Sequence, residues 1–143
     1  MKSVLLPIDG SPCALRAVEL ILAKRARYSH PEEMAIHLVN VQLPFTVEDI
    51  RWASKEQVNE YYQGRSERET REACALLDRA GVGYTRHDLV GEAAEEIATL
   101  AETLACDQIV MGTHGRGALQ GLLMGSTTTK VIHLAKVPVL LVK

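Results

Sequence analysis

Three glycines and a serine are the residues of this 143-residue chain whose spacing best suits chemistry. Gly112, Gly115 and Gly125-Ser126 form a G-x2-G-x9-G-S pattern, which starts where the apolar run Gln108 to Met111 ends and closes where a helix-like segment begins. Glycines let backbone approach a ligand without Cβ interference and adopt positive φ, so neighbouring amides can converge on one anion. The end of a buried strand followed by a helix N-terminus is where open α/β sheets hold phosphates. One wall of such a cradle is Gly112 and Gly115 with His114 and Arg116 close by; Gly125 and the amides and hydroxyls of Ser126 and Thr127 form the other. Arg116 adds a charge-assisted partner for a phosphate.

Two better-known phosphate loops do not fit. No Lys follows the last glycine of Gly121 to Gly125, as a P-loop requires, and Gly115-x-Gly117-x3-Gly121 has one residue too many for a dinucleotide fingerprint and follows the fourth strand rather than the first. Other chemistry is sparse. Cys13, Cys74 and Cys106 lack the spacing of a zinc or C-x-x-C site; Cys74 and Cys106 read as small core residues, and Cys13 falls in the first turn of a helix. His37, His87 and His133 are scattered without metal-ligand spacing, and Glu92, Glu95 and Glu96 read as charges at a helix start rather than catalytic acids. No nucleophile with a paired base is evident.

The elements that must position the loop follow from hydrophobic patterning. Ser3 to Ile8 reads as a strand buried on both faces, ending at Asp9-Gly10-Ser11-Pro12, where Ser11 caps a helix reaching about Tyr28 with Leu15, Val18, Leu22 and Ala26 on one face. Ala35 to Gln42 is a second strand, Leu43 to about Ser54 is irregular, and a long helix runs from Lys55 to Ala80. Tyr84 to Val90 is a polar strand suited to an edge; a helix with Ala94, Ile97, Ala98 and Ala101 on its apolar side follows. Gln108 to Met111, a helix over Ser126 to Ala135 and the strand Val137 to Val142 complete an alternation that implies an α/β fold, a parallel sheet covered on both faces. Trp52, Tyr61 and Tyr62 are the aromatic concentration, expected to pack a long loop onto the body.

Composition is consistent with one compact domain over 1–143: 47% of residues are hydrophobic, and 16 basic against 18 acidic residues leave a formal charge of -2. That balance, with 4% aromatics, argues against nonspecific nucleic-acid binding. Neither a signal-peptide pattern nor an apolar run of membrane-spanning length is present, so a soluble cytoplasmic protein is expected, with no membrane partner.

The combination of Pro7-Ile8-Asp9-Gly10-Ser11, Gly91-x3-Glu95-x-Ile97, Met111-Gly112-Thr113-His114-Gly115-Arg116-Gly117, Gly125-Ser126 and the closing Val137-Pro138-Val139-Leu140 resembles the ATP-binding branch of the universal stress protein family over essentially the whole chain. The resemblance implies a three-layer α/β/α fold on a five-stranded parallel sheet of order 3-2-1-4-5, and a homodimer. It also places Pro7, Ile8 and Asp9 beside an adenine nucleotide (ATP, ADP or AMP), Val41 against adenine, Met111, Gly112, His114, Gly115 and Arg116 along ribose and phosphates, and Gly125, Ser126 and Thr127 at the phosphate cradle. Asp9 is a candidate for holding a phosphate-bound magnesium ion. Asn40 stands where many relatives have His, and Thr127 where many have Val.

The last strand would then be an edge with an uninterrupted apolar run, and pairing Val137 to Lys143 with a second copy would satisfy it. The expected function is a nucleotide-binding stress or regulatory module with a protein partner. The alternatives are a nucleotide-free interaction protein using the Trp52 region and a slow nucleotide-hydrolysing enzyme, with Ser126 and Thr127 as the hydroxyls nearest the phosphates.

Overall fold

The computed structural model describes residues 1–115, 117 and 124–143. Strands and helices alternate: β1 (Ser3–Pro7), α1 (Pro12–Arg25), β2 (Ala35–Gln42), α2 (Lys55–Arg79), β3 (Thr85–Val90), α3 (Ala93–Thr103), β4 (Gln108–Gly112), α4 (Ser126–Leu134) and β5 (Val139–Val142), with a 3-10 turn at Pro31–Glu33 that sequence patterning does not announce. All strand pairs are parallel, in the order β3-β2-β1-β4-β5, the order implied by the family resemblance. Parallel pairing requires each connection to cross a face of the sheet, and the helices supply those crossings.

Side-chain alternation divides the core in two. Val4, Leu6, Ile36 and Leu38 point toward α1 and α2, where Val18, Ile21, Ala73 and Leu77 meet them. Leu5, Val39, Ile109 and Met111 point the other way, onto Ala94, Ile97 and Ala101 of α3 and Val131 of α4. Leu5, Leu6, Leu38 and Ile109 have no exposed surface, and burying each such side chain contributes about 1.5–3 kcal/mol. This two-sided burial explains the continuous apolar runs of β1 and β4.

Local signals set the boundaries. Ser11 Oγ accepts from Ala14 N at 3.2 Å with Pro12 opening α1, and Ser54 and Gln57 form a capping box at α2. Gly10 (φ 79°) and Gly81 (φ 64°) supply the left-handed turns after β1 and α2. Three expectations need correction. The buried face of α1 is Ala14, Ala17, Val18 and Ile21; Leu15 and Leu22 only flank it and Ala26 is exposed, because small residues let the helix approach the sheet closely. The helix also stops at Arg25, short of Tyr28. Finally, Trp52 does not pack: it is 91% exposed, while Phe45 takes its place against Tyr61 and Tyr62, with ring centroids 4.9 and 5.2 Å away.

Cys106 is buried and Cys74 half-buried beside the core, as expected. His37 and His87, on adjacent strands, are paired: Nδ1 of His37 lies 3.2 Å from Nε2 of His87. Burial, and then the nearby charge of His87 when protonated, hold the His37 imidazole below its ordinary pKa of 6.5. The unfolded chain therefore binds more protons than the folded one as pH falls through 6.5, so this group removes stability on acidification until the folded imidazole also titrates. In thermal melts from about pH 7.5 to pH 5.5, the native protein is expected to lose more stability than His37→Gln. Equal slopes would remove His37 as a source of the acid sensitivity.

Candidate functional site

β1 and β4 lie side by side, but the connections leaving them cross opposite faces, and the ends of such strands diverge to leave a crevice. A cleft of about 530 Å³ occupies it. Pro7, Ile8 and Asp9 enter from the end of β1, Val41 from β2, Met111 and Gly112 from β4, His114 and Gly115 from the following turn, and Gly125, Ser126 and Thr127 from the start of α4. Thus all the sequence-selected residues among those described line one cavity; Arg116 lies outside the described residues.

The cleft has two chemically different ends. At one, α4 starts at Gly125 with no side-chain cap, so the amides of its first turn lack intrahelical acceptors and carry the positive end of the helix dipole. Gly125 N donates to Thr113 O at 2.8 Å and Thr128 Oγ1 donates to Gly112 O at 3.1 Å, fixing that end of α4 against β4. At the other end Val39, Val41, Leu43, Ala93, Ile97 and Met111 make an apolar slot. Sequence reasoning missed Leu43, Ala93, Ile97 and Thr128. Ile97 was read as part of the apolar side of α3, which did not reveal that the core opens there, and Ala93, one helical turn before it, was not singled out.

Each glycine has its own reason. A methyl built on Gly112 would lie 2.5 Å from Cys13 Cβ and 2.8 Å from the Cys13 carbonyl carbon, so this glycine lets α1 and β4 touch. On Gly115 it would lie 2.7 Å from Asp9 Oδ2, so that glycine keeps the Asp9 carboxylate in the cleft wall. A methyl built on Gly125 would meet nothing closer than 3.6 Å. Positive φ, expected for this motif, occurs at none of the three; it is found at Gly10 and Gly81 instead, because the chain leaves β4 in ordinary backbone and the requirement is for close approach.

Asp9 Oδ1 accepts from Ser11 N at 2.9 Å, a local turn that orients the carboxylate. His114 Nδ1 is 2.9 Å from Thr113 Oγ1. Glu92 does not act as a paired acid: it caps α3 by accepting from Glu95 N at 3.0 Å and pairs with Lys130 of α4, and these bonds hold its carboxyl below the usual range. Cys13 Sγ accepts from Arg16 at 2.8 Å. Among the described residues no group of three or more His, Cys, Asp or Glu could hold a metal ion, so Asp9 would bind a cation only together with ligand oxygens.

Sequence reading also missed a buried polar network beside the cleft. Asn40 Nδ2 donates to Ile8 O and to Glu69 Oε2, both at 2.8 Å; Gln42 Nε2 donates to Asn40 Oδ1 at 2.7 Å and to Glu69 Oε2 at 2.9 Å. Arg65 Nε reaches Glu69 Oε1 at 3.1 Å. Asn40 therefore ties the exit of β1 to α2.

A doubly wound α/β protein with a ligand cleft at its topological switch point is the class that fold and cavity define. Comparison with known proteins narrows it. The model of the universal stress protein family matches residues 1–143, and the chain belongs to that family. It is 34% identical to a universal stress protein of Thermus aquaticus over 147 aligned positions, covering 99% of this chain and 98% of the relative. Among solved structures, a Methanocaldococcus jannaschii protein studied as a test case of structural genomics aligns with a TM-score of 0.79 at 28% identity, covering 99% and 95% of the two chains. A universal stress protein in complex with cAMP aligns with a TM-score of 0.68 at 26% identity, covering 99% and 97%.

None of the described helices is long and apolar enough to cross a membrane.

Proposed function

We propose that this universal stress protein binds an adenine nucleotide, ATP or a shorter relative, and acts as a cytoplasmic regulatory module. The observation that carries the reading is the joining, in one cleft, of an apolar slot to an uncapped helix N-terminus. The base enters the slot beside Val41 and Met111, the ribose lies near Asp9 and Gly115, and the phosphates take the amides of Ser126 and Thr127. The structure solved with cAMP supports the same ligand class; two more distant neighbours that share the fold carry AMP, in an Arabidopsis thaliana protein, and dAMP, in one from Archaeoglobus fulgidus. Asp9 supplies one carboxylate for magnesium held chiefly by phosphate oxygens.

Holding is favoured over cleavage. The hydroxyl–imidazole pair beside the cleft, Thr113 Oγ1 with His114 Nδ1 at 2.9 Å, uses a buried threonine, whereas phosphoryl transfer needs a water or hydroxyl positioned at the phosphate. The module's output is a change in loop conformation and in the choice of a protein partner. Trp52, at 91% exposure on the segment leading away from the slot, favours a partner contact there and also suits the nucleotide-free alternative. A homodimer through Val137 to Lys143 suits β5, an edge strand whose four residues all stay half-buried within one chain.

Native mass spectrometry of freshly purified protein, followed by ATP and AMP titration with and without magnesium, tests the reading. We expect one adenine nucleotide per chain and saturable binding; no binding of either nucleotide at about millimolar concentration rejects it.

A further inference from the structure

The nucleotide cleft does not end at the apolar slot. A second recess of about 230 Å³ shares Asp9, Val41 and Leu43 with it and continues over the end of β2 toward α2. Its far walls are the Phe45, Tyr61 and Tyr62 rings, with Gln42 and the Arg65–Glu69 pair beside them.

The polar groups here are fixed in orientation and incompletely used. Gln42 is only 6% exposed, and both protons of its Nε2 are committed, to Asn40 and Glu69, which sets the amide orientation. Its Oε1 accepts from no described residue, although the side chain lines the recess. Arg65 is held through Nε by Glu69 and through Nη1 by Tyr61 Oη at 3.3 Å, while Nη2 has no partner among the described residues. Tyr62 Oη accepts from Phe45 N at 2.8 Å and retains its own proton to donate. The recess thus offers one fixed and accessible amide acceptor, a guanidinium donor, a hydroxyl donor and flat aromatic surface.

A planar group with a donor and acceptors on its edge matches that set, and a nucleobase has both, together with a face that stacks on tyrosine. Asp9 is common to both cavities and lies where the ribose of the first nucleotide passes, so a second nucleotide joined through that ribose would leave the cleft into the recess. Its linking phosphate would come within the field of Arg65.

We propose that the recess is a second base site, and that the preferred ligand class is a dinucleotide whose first adenine nucleotide occupies the main cleft. The proposal rests on the adenine-nucleotide reading of that cleft. Gln42 Oε1 accepts from an exocyclic amine of the second base, Tyr61 stacks on its face while Tyr62, whose ring stands 71° from that of Tyr61, meets its edge, and Arg65 Nη2 donates to the linking phosphate.

The test compares AMP with the linear dinucleotide pApA by calorimetric titration of the full chain. pApA is expected to bind at least about tenfold more tightly than AMP, the lower part of the range a stacked base contributes. Arg65→Met and Tyr61→Ala, both on the exposed side of α2, should reduce pApA to the AMP level while AMP affinity stays within about twofold; melting curves establish that each variant is folded. If AMP binds and pApA binds no more tightly, the second base site is overturned and the nucleotide reading stands. If pApA keeps its advantage in both variants, the second base lies elsewhere and the recess is again rejected. If neither ligand binds, both readings fall.

Discussion

Gly125→Asp is expected to reduce adenine-nucleotide affinity by about 100-fold or more while leaving the protein folded and its oligomeric state unchanged. Gly125 has φ −75° and ψ 162°, an extended conformation any residue adopts, and the nearest atoms to an added Cβ are 3.6 Å away. No strain is therefore introduced. Aspartate is also among the preferred N-cap residues, so its carboxylate would accept the first-turn amides of α4 and hold stability within about 0.5 kcal/mol of the parent. The same two features remove phosphate binding: the donors become occupied, and a negative charge stands where the phosphate should be. Titration of AMP and ATP, with sedimentation to follow assembly, checks both halves. Affinity within about threefold of the parent would withdraw the phosphate role from the start of α4.

Gly112→Ala should do the opposite, costing stability first. The added methyl meets Cys13 Cβ at 2.5 Å and the Cys13 carbonyl carbon at 2.8 Å, and the second of these is backbone that cannot rotate aside. Separating α1 from the end of β4 costs about 2 kcal/mol, a drop of about 5 °C in Tm for a domain of this size. Chemical denaturation measures it; a loss below about 0.5 kcal/mol would mean that α1 retreats freely. The pair of variants separates two glycines of one motif into a ligand-facing position and a packing position.

Much of the fold was legible in the chain. Unbroken apolar runs at Val4 to Leu6 and Ile109 to Met111 require cover on both faces, and the polar Thr85 to Val90 belongs at an edge, which is where β3 lies. Caps at Ser11 and Ser54 set helix starts because their chemistry is local. The face of α1 was misplaced because Ala14 and Ala17 carry little hydrophobic signal, yet their small size is what brings the helix close to the sheet.

The candidate site was legible where function demands unusual residues and illegible where it borrows ordinary ones. Gly115 and Gly125 stand out by spacing, but Ala93 and Ile97 look like any apolar pair on a helix, and whether they face a filled core or an opening depends on how the strands diverge. Gln42 and Glu69 read as unremarkable polar residues, and Asn40 only as a departure from the family pattern, until the fold buries them together. Trp52 shows the reverse error: an aromatic expected inside is outside, because Phe45 reaches the tyrosines first.

What the sequence by itself determined is the strand–helix alternation and the spacing of the glycines after β4, since both follow from periodicity and from glycine, proline and serine acting within a few residues. What only the tertiary structure decided is the work of each glycine, the shape of the apolar slot and the existence of the second recess. Those depend on distances between segments far apart in the chain, such as Cys13 to Gly112, Asp9 to Gly115 and Gln42 to Glu69, which no local pattern encodes.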